Sequence, residues 1–544
     1  MSEATGKDTG ATRGTREVGT ADAAITDDRP AAEETAGEGT AAAAASAPAP
    51  APAPAPAAAA AAAAQRATAR GDPRAGNRIA SLARRHGLFA LVVVGAAALR
   101  AVVMLGYPPI IWFHDSYSYV QSAVSHTAST ARPAGYPLFL AVLEPLHSFA
   151  AVALAQHLMG LGTGVAIYAV LRRRGLVGWA ATLAAVPVLY DAYQVQLEQM
   201  VMSDALFMIL LIVAMVLLCW NDRVGPIAAA VAGLLIGYAS VVRSVGLPLL
   251  ALVAVCLLIR RAGWRPLAAL VCAGVVPMAG YMFAYHSQHG SYAVTESDGI
   301  FLYGRVQTFA NCADIKPPPS LAVLCDPRPP SKRPIASEYI WDTSGPLDKL
   351  APHYGFFTPR INALAEQFAR RAIIAQPFSY LRVVARDTLR SFFWQRTLAY
   401  DPKTDISYLF SHHPPSIAPY RPWHDLRTYQ PSLGQTQAVQ PYAGFLIGYQ
   451  RVVYLRGLLL GLILLLGLAG LVARWRRWGG IVLLPWCVAA MLLVLPVATS
   501  GFSYRYELAV VPFACLAAGL AVSGGRWPAK LRRKSAGGGP VEQE

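Results

Sequence analysis

Charged residues are scarce in this chain. Asp, Glu, Lys and Arg together make up 14% of its 544 residues, whereas a typical soluble domain carries about 25%. Apolar residues make up 55%, and the mean hydropathy is +0.38. This composition argues against a soluble globular enzyme, and the apolar runs that recur along the chain favour an all-α polytopic membrane protein.

The chain also lacks the common signatures of nucleotide and metal chemistry. It contains no P-loop, no dinucleotide-binding glycine fingerprint, no GxSxG elbow and no CxxC pair. His412, His413 and His424 match no zinc-ligand spacing, so no metal site is predicted. Two of the seven cysteines, Cys312 and Cys325, lie in a long polar loop and are expected to form a disulfide if that loop is extracytoplasmic.

Large apolar residues are nearly absent from the first 80 positions. This segment contains an alternating Ala-Pro tract between Ala41 and Ala64, which favours an extended polyproline conformation. No apolar signal-peptide core lies near Met1. Residues 1–80 are therefore predicted to form a disordered cytoplasmic tail.

The rest of the chain contains ten candidate membrane spans. They lie at about 87–107, 149–171, 176–190, 203–220, 225–242, 245–259, 266–286, 453–473, 480–498 and 506–523. Several are close to the lower length limit for crossing a hydrocarbon core of roughly 30 Å.

The distribution of arginine predicts the orientation of these spans. If the N-terminus is cytoplasmic, nearly all of the short inside segments are Arg-rich. The short outside loops, at 191–202, 243–247 and 499–504, contain one basic residue in total, Arg243. This pattern obeys the positive-inside rule. The net charge of +16 therefore predicts topology, and no nucleic-acid partner is expected.

This topology predicts a multi-pass plasma-membrane protein with both termini in the cytoplasm. Its regions are the tail at 1–80, about seven spans at 85–286 with a first outside loop at 108–148, an extracytoplasmic module at 287–452, three spans at 453–523 and a basic tail at 524–544. The module is too long to be a simple connector.

The first outside loop contains the strongest candidate for acid–base chemistry. Asp115 follows the first span and lies between His114 and Tyr117, and Arg132 and Tyr136 come later in the loop. A partly desolvated carboxylate beside a His or Arg acts as a general base. The alternative is an exposed Asp that caps a short interfacial helix.

Three more acidic residues, Asp191, Glu198 and Asp204, lie near the outer ends of spans. Acidic groups at membrane depth are costly and often functional, so these are secondary candidates. Ser203 and Asp204 open a span together, and this pair is also typical of a helix N-cap, for which Ser203 is the better candidate.

Several arginines at the outer face break the orientation pattern. Arg243 lies between apolar runs, and Arg505 opens the last span. Their guanidinium groups could clamp a phosphate or snorkel to lipid headgroups. Arg305 is a third candidate, in a segment that begins with Asp298 and could be either a ligand contact or a turn into the large loop.

Taken in order, these motifs resemble the GT-C membrane glycosyltransferases over about residues 85–525. The matching pieces are His114-Asp115-Ser116-Tyr117, Arg132-Pro133-Ala134-Gly135-Tyr136-Pro137, Glu198 with Ser203-Asp204-Ala205-Leu206-Phe207, Arg243-Ser244-Val245-Gly246 and Tyr504-Arg505-Tyr506. The chain is most similar to the group of protein O-mannosyltransferases, the lipid A aminoarabinose transferase and bacterial mannosyl- or arabinofuranosyltransferases. Many relatives have Asp-Glu where this chain has Asp115-Ser116.

The resemblance implies a GT-C-like helical bundle that uses a sugar on polyprenyl phosphate. Asp115 would be the general base, and Arg505, Arg243 and Arg305 would contact the donor phosphate. The expected substrate contacts are His114, Tyr117, Arg132, Tyr136, Asp298 and Tyr506. The acceptor would be a glycan, glycolipid or protein of the cell envelope. No cofactor is required, although some relatives use a divalent metal.

Two other functions suit a protein with ten spans and charges at the outer boundary. One is a transporter or flippase of lipid-linked sugars, and the other is a non-catalytic scaffold for envelope assembly. The sequence contains no internal repeat, and a transporter has little need of a large outside module. The transferase is therefore the leading hypothesis.

Overall fold

The protein is an all-α polytopic membrane protein. The computed structural model describes residues 73–341, 345–351, 355, 357–396, 401–417 and 423–523, and in these segments the regular structure is helical. An isolated bridge between Ile111 and Met200 is the one sheet-like contact among them. The predicted tails lie outside these residues, except that the first helix already begins at Pro73.

The described segments contain 22 α-helices. They are α1 (Pro73–Gly106), α2 (His114–Ser125), α3 (Gly135–Leu143), α4 (Phe149–Arg173), α5 (Gly178–Tyr190), α6 (Ala192–Glu198), α7 (Asp204–Cys219), α8 (Pro226–Val242), α9 (Leu247–Ile259), α10 (Trp264–His289), α11 (Asp298–Gln307), α12 (Cys312–Ile315), α13 (Pro319–Ala322), α14 (Ala336–Trp341), α15 (Pro359–Ala375), α16 (Pro377–Arg390), α17 (Pro402–Asp405), α18 (Trp423–Tyr429), α19 (Tyr442–Val452), α20 (Gly457–Ala473), α21 (Leu483–Thr499) and α22 (Tyr504–Val522).

Each of the ten stretches predicted as spans is helical. Within the described residues, five helices are long and apolar enough to cross a membrane, and the bent pair α19 and α20, which meet at 56°, adds a sixth candidate. The remaining four, α5, α7, α8 and α9, are shorter apolar helices, near or below the roughly 17 residues that a span needs. The structure therefore supports five or six spans by length, and the count of ten stays a prediction.

The last helix, α22, runs through the centre of the bundle. Its membrane segment is 83% buried, and it packs against α4, α5, α7, α20 and α21. Small residues such as Ala514, Ala517 and Gly519 let these neighbours approach closely. As a result Arg505, in the first turn of α22, lies in the protein interior.

Helices α8 and α10 pack with their backbones almost in contact. A Cβ on Gly237 would lie 2.1 Å from the carbonyl oxygen of Gly274, and one on Gly233 would lie 2.2 Å from that of Leu270. Only glycine at these positions permits the approach, as is common between membrane helices. Arg243 directly follows α8, so the close packing of α8 and α10 fixes the position from which its side chain extends.

The region predicted as one extracytoplasmic module has two structural parts. Helices α11 to α16 enclose their own core around Tyr303 and Phe368, and Cys312 and Cys325 form a disulfide with a Cα–Cα distance of 6.2 Å. By contrast, Tyr408 and Tyr429 pack into the main core of the membrane region. The second part therefore brings loop residues against the ends of the spans.

Candidate active site

Backbone contacts hold the first outside loop against the start of α7. The Ile111 N–H donates to the Gln199 carbonyl at 2.9 Å, and the Val201 N–H donates to the Ile111 carbonyl at 3.4 Å. Ser116 is fully buried; its hydroxyl donates to the Val201 carbonyl at 3.0 Å. These contacts place Asp115, in the first turn of α2, near the N-terminus of α7.

Ser116 also accepts a hydrogen bond from the Phe113 N–H at 3.0 Å. Its hydroxyl therefore caps the start of α2 and joins α2 to the chain before α7.

Two carboxylates and three guanidinium groups form a connected charge cluster, consisting of Asp115, Arg132, Asp204, Arg243 and Arg505. Asp115 Oδ1 lies 2.6 Å from Arg132 Nη2, and Asp115 Oδ2 lies 3.2 Å from Arg505 Nη1. Arg505 Nε lies 3.1 Å from Asp204 Oδ2, and Arg243 also pairs with Asp204. Three positive and two negative charges leave the cluster with one net positive charge.

The charge cluster keeps Asp115 ionised. Burial alone would raise the pKa of Asp115, but the guanidinium groups of Arg132 and Arg505 outweigh burial and lower the pKa to about 2. The carboxylate is therefore available as a proton acceptor throughout the neutral range.

Aromatic rings pack against each arginine of the charge cluster. The Arg505 guanidinium lies 5.9 Å from the centre of the Phe113 ring, and Arg132 lies 5.2 Å from that of Trp341. Arg243 lies 5.7 Å from the rings of Phe207 and Tyr506. These cation–π contacts and the ion pairs restrict the arginine side chains to fixed orientations.

The charge cluster borders a cavity of about 1400 Å³. Asp115, Arg132, Arg243 and Arg505 all line it. Apolar residues at the ends of the membrane helices line another part, namely Val242, Val245, Leu247, Pro248, Leu495 and Pro496. Residues of the long segment between α10 and α20 line the rest, so one cavity combines an apolar part at the helix ends with polar groups beyond them.

Most of the residues singled out in the sequence lie at this cavity. His114, Tyr117, Asp298 and Tyr506 also line it. Tyr136 does not; it is buried behind the site, and its hydroxyl donates to Gln156 Oε1 at 2.8 Å. The structure thus places Tyr136 behind the cavity lining, and its assignment as a substrate contact stays a prediction.

Arg305 is not at the cavity either. Its side chain is completely buried in the core of helices α11 to α16, where Nη1 lies 2.7 Å from Asp387 Oδ2. The structure thus places Arg305 away from the cavity, and its assignment to phosphate binding stays a prediction.

Two of the secondary acidic candidates hold helices together. Asp191 accepts hydrogen bonds from the N–H groups of Tyr193, Gln194 and Leu455, and so caps α6 and ties it to the chain before α20. Glu198 is fully buried and lies 2.8 Å from Arg100 Nε. Neither carboxylate lines the cavity.

His157 completes the buried Glu198 contact, with Nδ1 at 3.1 Å from Glu198 Oε2. Ser203 occupies the expected N-cap position of α7, but its side chain makes no capping hydrogen bond. Its hydroxyl instead lies 3.3 Å from that of Tyr119. Asp204 has the more important position, because it joins Arg243 to Arg505.

Asp405 and Tyr408 are cavity residues that the sequence analysis missed. Both lie in a short segment that begins at Pro402, has no motif or periodicity and follows a long polar stretch. Tyr408 stacks on Phe113 at 5.2 Å between ring centres, which places this segment directly beside the charge cluster.

The donor atoms of the site do not fit a divalent metal. Among the described residues, no group of three or more His, Cys, Asp or Glu side chains is arranged to hold a metal ion. Both carboxylates of the charge cluster already lie on arginines. We therefore derive no chemical step through a metal.

Comparisons with known proteins give one structural likeness. No protein-family model and no curated protein sequence matches the chain. The structure is similar to the crystal structure of the Archaeoglobus fulgidus oligosaccharyltransferase in the apo form, with a TM-score of 0.38 and 11% sequence identity. The match covers 80% of this chain and 50% of that one, so this chain spans about half the length of its neighbour. The function proposed next rests on the geometry of the site.

Proposed function

We propose that this protein is a membrane glycosyltransferase that transfers a sugar from a polyprenyl-phosphate donor to a cell-envelope acceptor on the extracytoplasmic face. The observation that carries the proposal is the charge cluster with one net positive charge beside a cavity of about 1400 Å³. A sugar joined to polyprenyl phosphate is a phosphodiester with one negative charge. Its charge would be opposite in sign and equal in magnitude to the net charge of the charge cluster.

The apolar part of the cavity supports a lipid-linked donor. Val242, Val245 and Leu495 lie at the ends of membrane helices and line the same cavity as Arg243 and Arg505. An isoprenoid chain would pack against these residues while its phosphate lies on the arginines. A free nucleotide sugar would have no use for this apolar surface.

Arg505 and Arg243 would bind the donor phosphate and stabilise it as a leaving group. A guanidinium carries five N–H donors, so Arg505 retains donors for a phosphate oxygen while it bridges Asp115 and Asp204. Negative charge develops on the phosphate as its bond to the anomeric carbon breaks. Donors that are already oriented stabilise this charge without reorganisation.

Asp115 would act as the general base. The acceptor hydroxyl attacks the anomeric carbon, the carbon–oxygen bond to the phosphate breaks, and its electron pair leaves with the phosphate. The acceptor proton passes to Asp115. A carboxylate with a low pKa can take this proton because the hydroxyl becomes strongly acidic as its new bond forms. A single displacement of this kind inverts the anomeric configuration.

The direct test uses the purified full-length chain in lipid nanodiscs. Radiolabelled mannose and arabinofuranose on polyprenyl phosphate serve as donors, simple glycosides serve as acceptors, and glycoside formation is measured. We expect transfer by the wild type and a loss of about 10²- to 10⁴-fold in Asp115→Asn, the range for a general base. Asp425→Asn is the matched control, because Asp425 is outside the cavity.

Two results would contradict the proposal. One is transfer by Asp115→Asn at the wild-type rate, which would show that Asp115 is not the general base. The other is movement of lipid-linked sugar across proteoliposome membranes with no glycoside formed, which would favour a transporter.

A further inference from the structure

The part of the cavity lined by the extracytoplasmic region is acidic. Its acidic wall consists of Asp298, Glu338, Glu366, Asp401 and Asp405, and within the described residues 287–452 contribute no basic side chain to the lining. The same cavity therefore has an arginine-rich part and a carboxylate-rich part, in a protein whose net charge is +16.

The members of the acidic wall other than Asp405 already have partners. Glu366 Oε1 lies 2.6 Å from Arg370 Nη2. Asp401 Oδ2 accepts a hydrogen bond from the Ser337 hydroxyl at 3.0 Å. Their charges are partly compensated, so the acidic wall does not present five free charges.

Asp405 is different, and its position points to a ligand. Its side chain is 96% buried, it lines the cavity, and Oδ2 has no hydrogen-bond partner among the described residues. An unpaired buried carboxylate oxygen is costly. Burial raises the pKa of Asp405 to about 6, even though a backbone hydrogen bond from Asp401 lowers it.

Trp341 connects the acidic wall to the charge cluster. It lines the cavity with Glu338, and the Arg132 guanidinium lies 5.2 Å from the centre of its ring. Arg132 in turn pairs with Asp115. A molecule that contacts Trp341 therefore lies close to the expected general base.

We infer that the acidic wall is an acceptor subsite for an uncharged, polyhydroxylated sugar and excludes acceptors that carry an anionic group. Sugar hydroxyls donate hydrogen bonds to carboxylates such as Asp405 and Asp298, and the C–H face of a sugar packs on an indole ring such as Trp341. This inference names the acceptor of the proposed function and rests on that function.

The charges of the subsite set the direction of selectivity. Burial and the nearby carboxylates of Glu366 and Glu296 raise the pKa of Asp298. The carboxylates in this part of the cavity therefore already repel one another. An acceptor with its own carboxylate would add to this repulsion, whereas hydroxyl groups would relieve it.

The test measures binding without a donor, so it does not depend on turnover. The probes are p-nitrophenyl β-D-glucoside and p-nitrophenyl β-D-glucuronide, which differ only in a CH₂OH or carboxylate group. Equilibrium dialysis against the full-length chain in nanodiscs gives both dissociation constants. We expect the wild type to bind the glucuronide at least about tenfold more weakly than the glucoside. In the double variant Asp298→Asn, Glu366→Gln, the dissociation constants of the two probes should differ by no more than about threefold.

Asp405 supplies the second arm. We expect Asp405→Ala to weaken glucoside binding by about tenfold, as for a lost hydrogen bond to a charged group, while the melting temperature stays equal or rises because an unpaired buried carboxylate is removed. Asp405→Asn gives an intermediate loss of binding, and Asp425→Asn is the matched control. A purely structural Asp405 would instead lower the melting temperature when replaced.

The outcomes separate this inference from the proposed function. Equal affinity for the two probes, tighter binding of the glucuronide, or unchanged glucoside binding by Asp405→Ala overturns the subsite. Displacement of the glucoside by micromolar trilysine also overturns it, because it would favour a cationic peptide. The expected binding pattern without any transfer from polyprenyl-phosphate sugars overturns the proposed function and leaves the sugar subsite standing.

Discussion

Replacing Asp115 by asparagine removes the carboxylate that two arginines hold in its ionised form. In the folded protein burial would raise the pKa of Asp115, but Arg132 and Arg505 lower it from 3.8 to about 2. A carboxyl with a lower pKa in the folded than in the unfolded state stabilises the fold above its unfolded pKa. That contribution is lost as the pH falls through the folded pKa.

The size of the effect follows from the two pKa values of Asp115. At about 1.4 kcal/mol for each unit of pKa difference, the ionised carboxylate contributes about 2 kcal/mol to the free energy of unfolding at pH 7. At pH 5 this contribution is nearly unchanged, because both states are still ionised. At pH 3 the unfolded state is mostly protonated, and about half of the contribution is gone.

The assay compares unfolding of the wild type and Asp115→Asn in detergent at pH 7, 5, 4 and 3. The difference in unfolding free energy between the two proteins should stay constant from pH 7 to 5 and then narrow by about 1 kcal/mol at pH 3. Asp425→Asn is the matched control, because Asp425 lies outside the cavity. A difference that stays constant down to pH 3, or that grows, refutes the argument that the arginines hold Asp115 ionised.

Three other substitutions test separate parts of the structure. Arg505→Lys should lower kcat/KM for the polyprenyl-phosphate donor by about a hundredfold in the transfer assay, because lysine cannot bridge two carboxylates and donate to a phosphate together. Gly160→Ala would place a Cβ 1.9 Å from Glu198 Oε1, so the free energy of unfolding should fall by about 2 kcal/mol. Joint replacement of Cys312 and Cys325 by serine removes a cross-link between residues 13 apart in sequence and should lower the free energy of unfolding by about 2–4 kcal/mol.

Each of these substitutions has a matched control. Arg451→Lys changes an exposed arginine away from the cavity. Gly280→Ala adds a Cβ with no atom within 4 Å, and Cys272→Ser alters an exposed free cysteine. If a control reproduces the effect of its partner, the local explanation for that partner is wrong.

The sequence predicted Asp115, Arg243 and Arg505 as candidates for a physical reason. Hydropathy placed all three at the ends of apolar runs, and the charge pattern assigned these ends to one side of the membrane. Groups confined to one boundary have a good chance of meeting, and the structure brings these three into one charge cluster. The proximity of these residues could be anticipated because a membrane restricts where charged side chains lie, while their roles stay predictions.

The same reasoning did not reveal the position of Arg305, because its partner depends on tertiary packing. Asp387 is 82 residues away in the sequence, and no local pattern links the two. For Glu198 a signal was available, since Arg100 lies within the first apolar run. An arginine at that depth requires a partner, and Glu198 supplies it at 2.8 Å.

The ion pair between Arg505 and Asp115 joins parts of the chain that are synthesised at very different times. Asp115 emerges early, and its partner Arg505 comes 390 residues later, in the last helix. At about 5–20 residues per second, the ribosome needs roughly 20–80 s to supply it. A chain that stops before α22 lacks Arg505, which joins Asp115 to Asp204, so the charge cluster can form only after α22 has been synthesised.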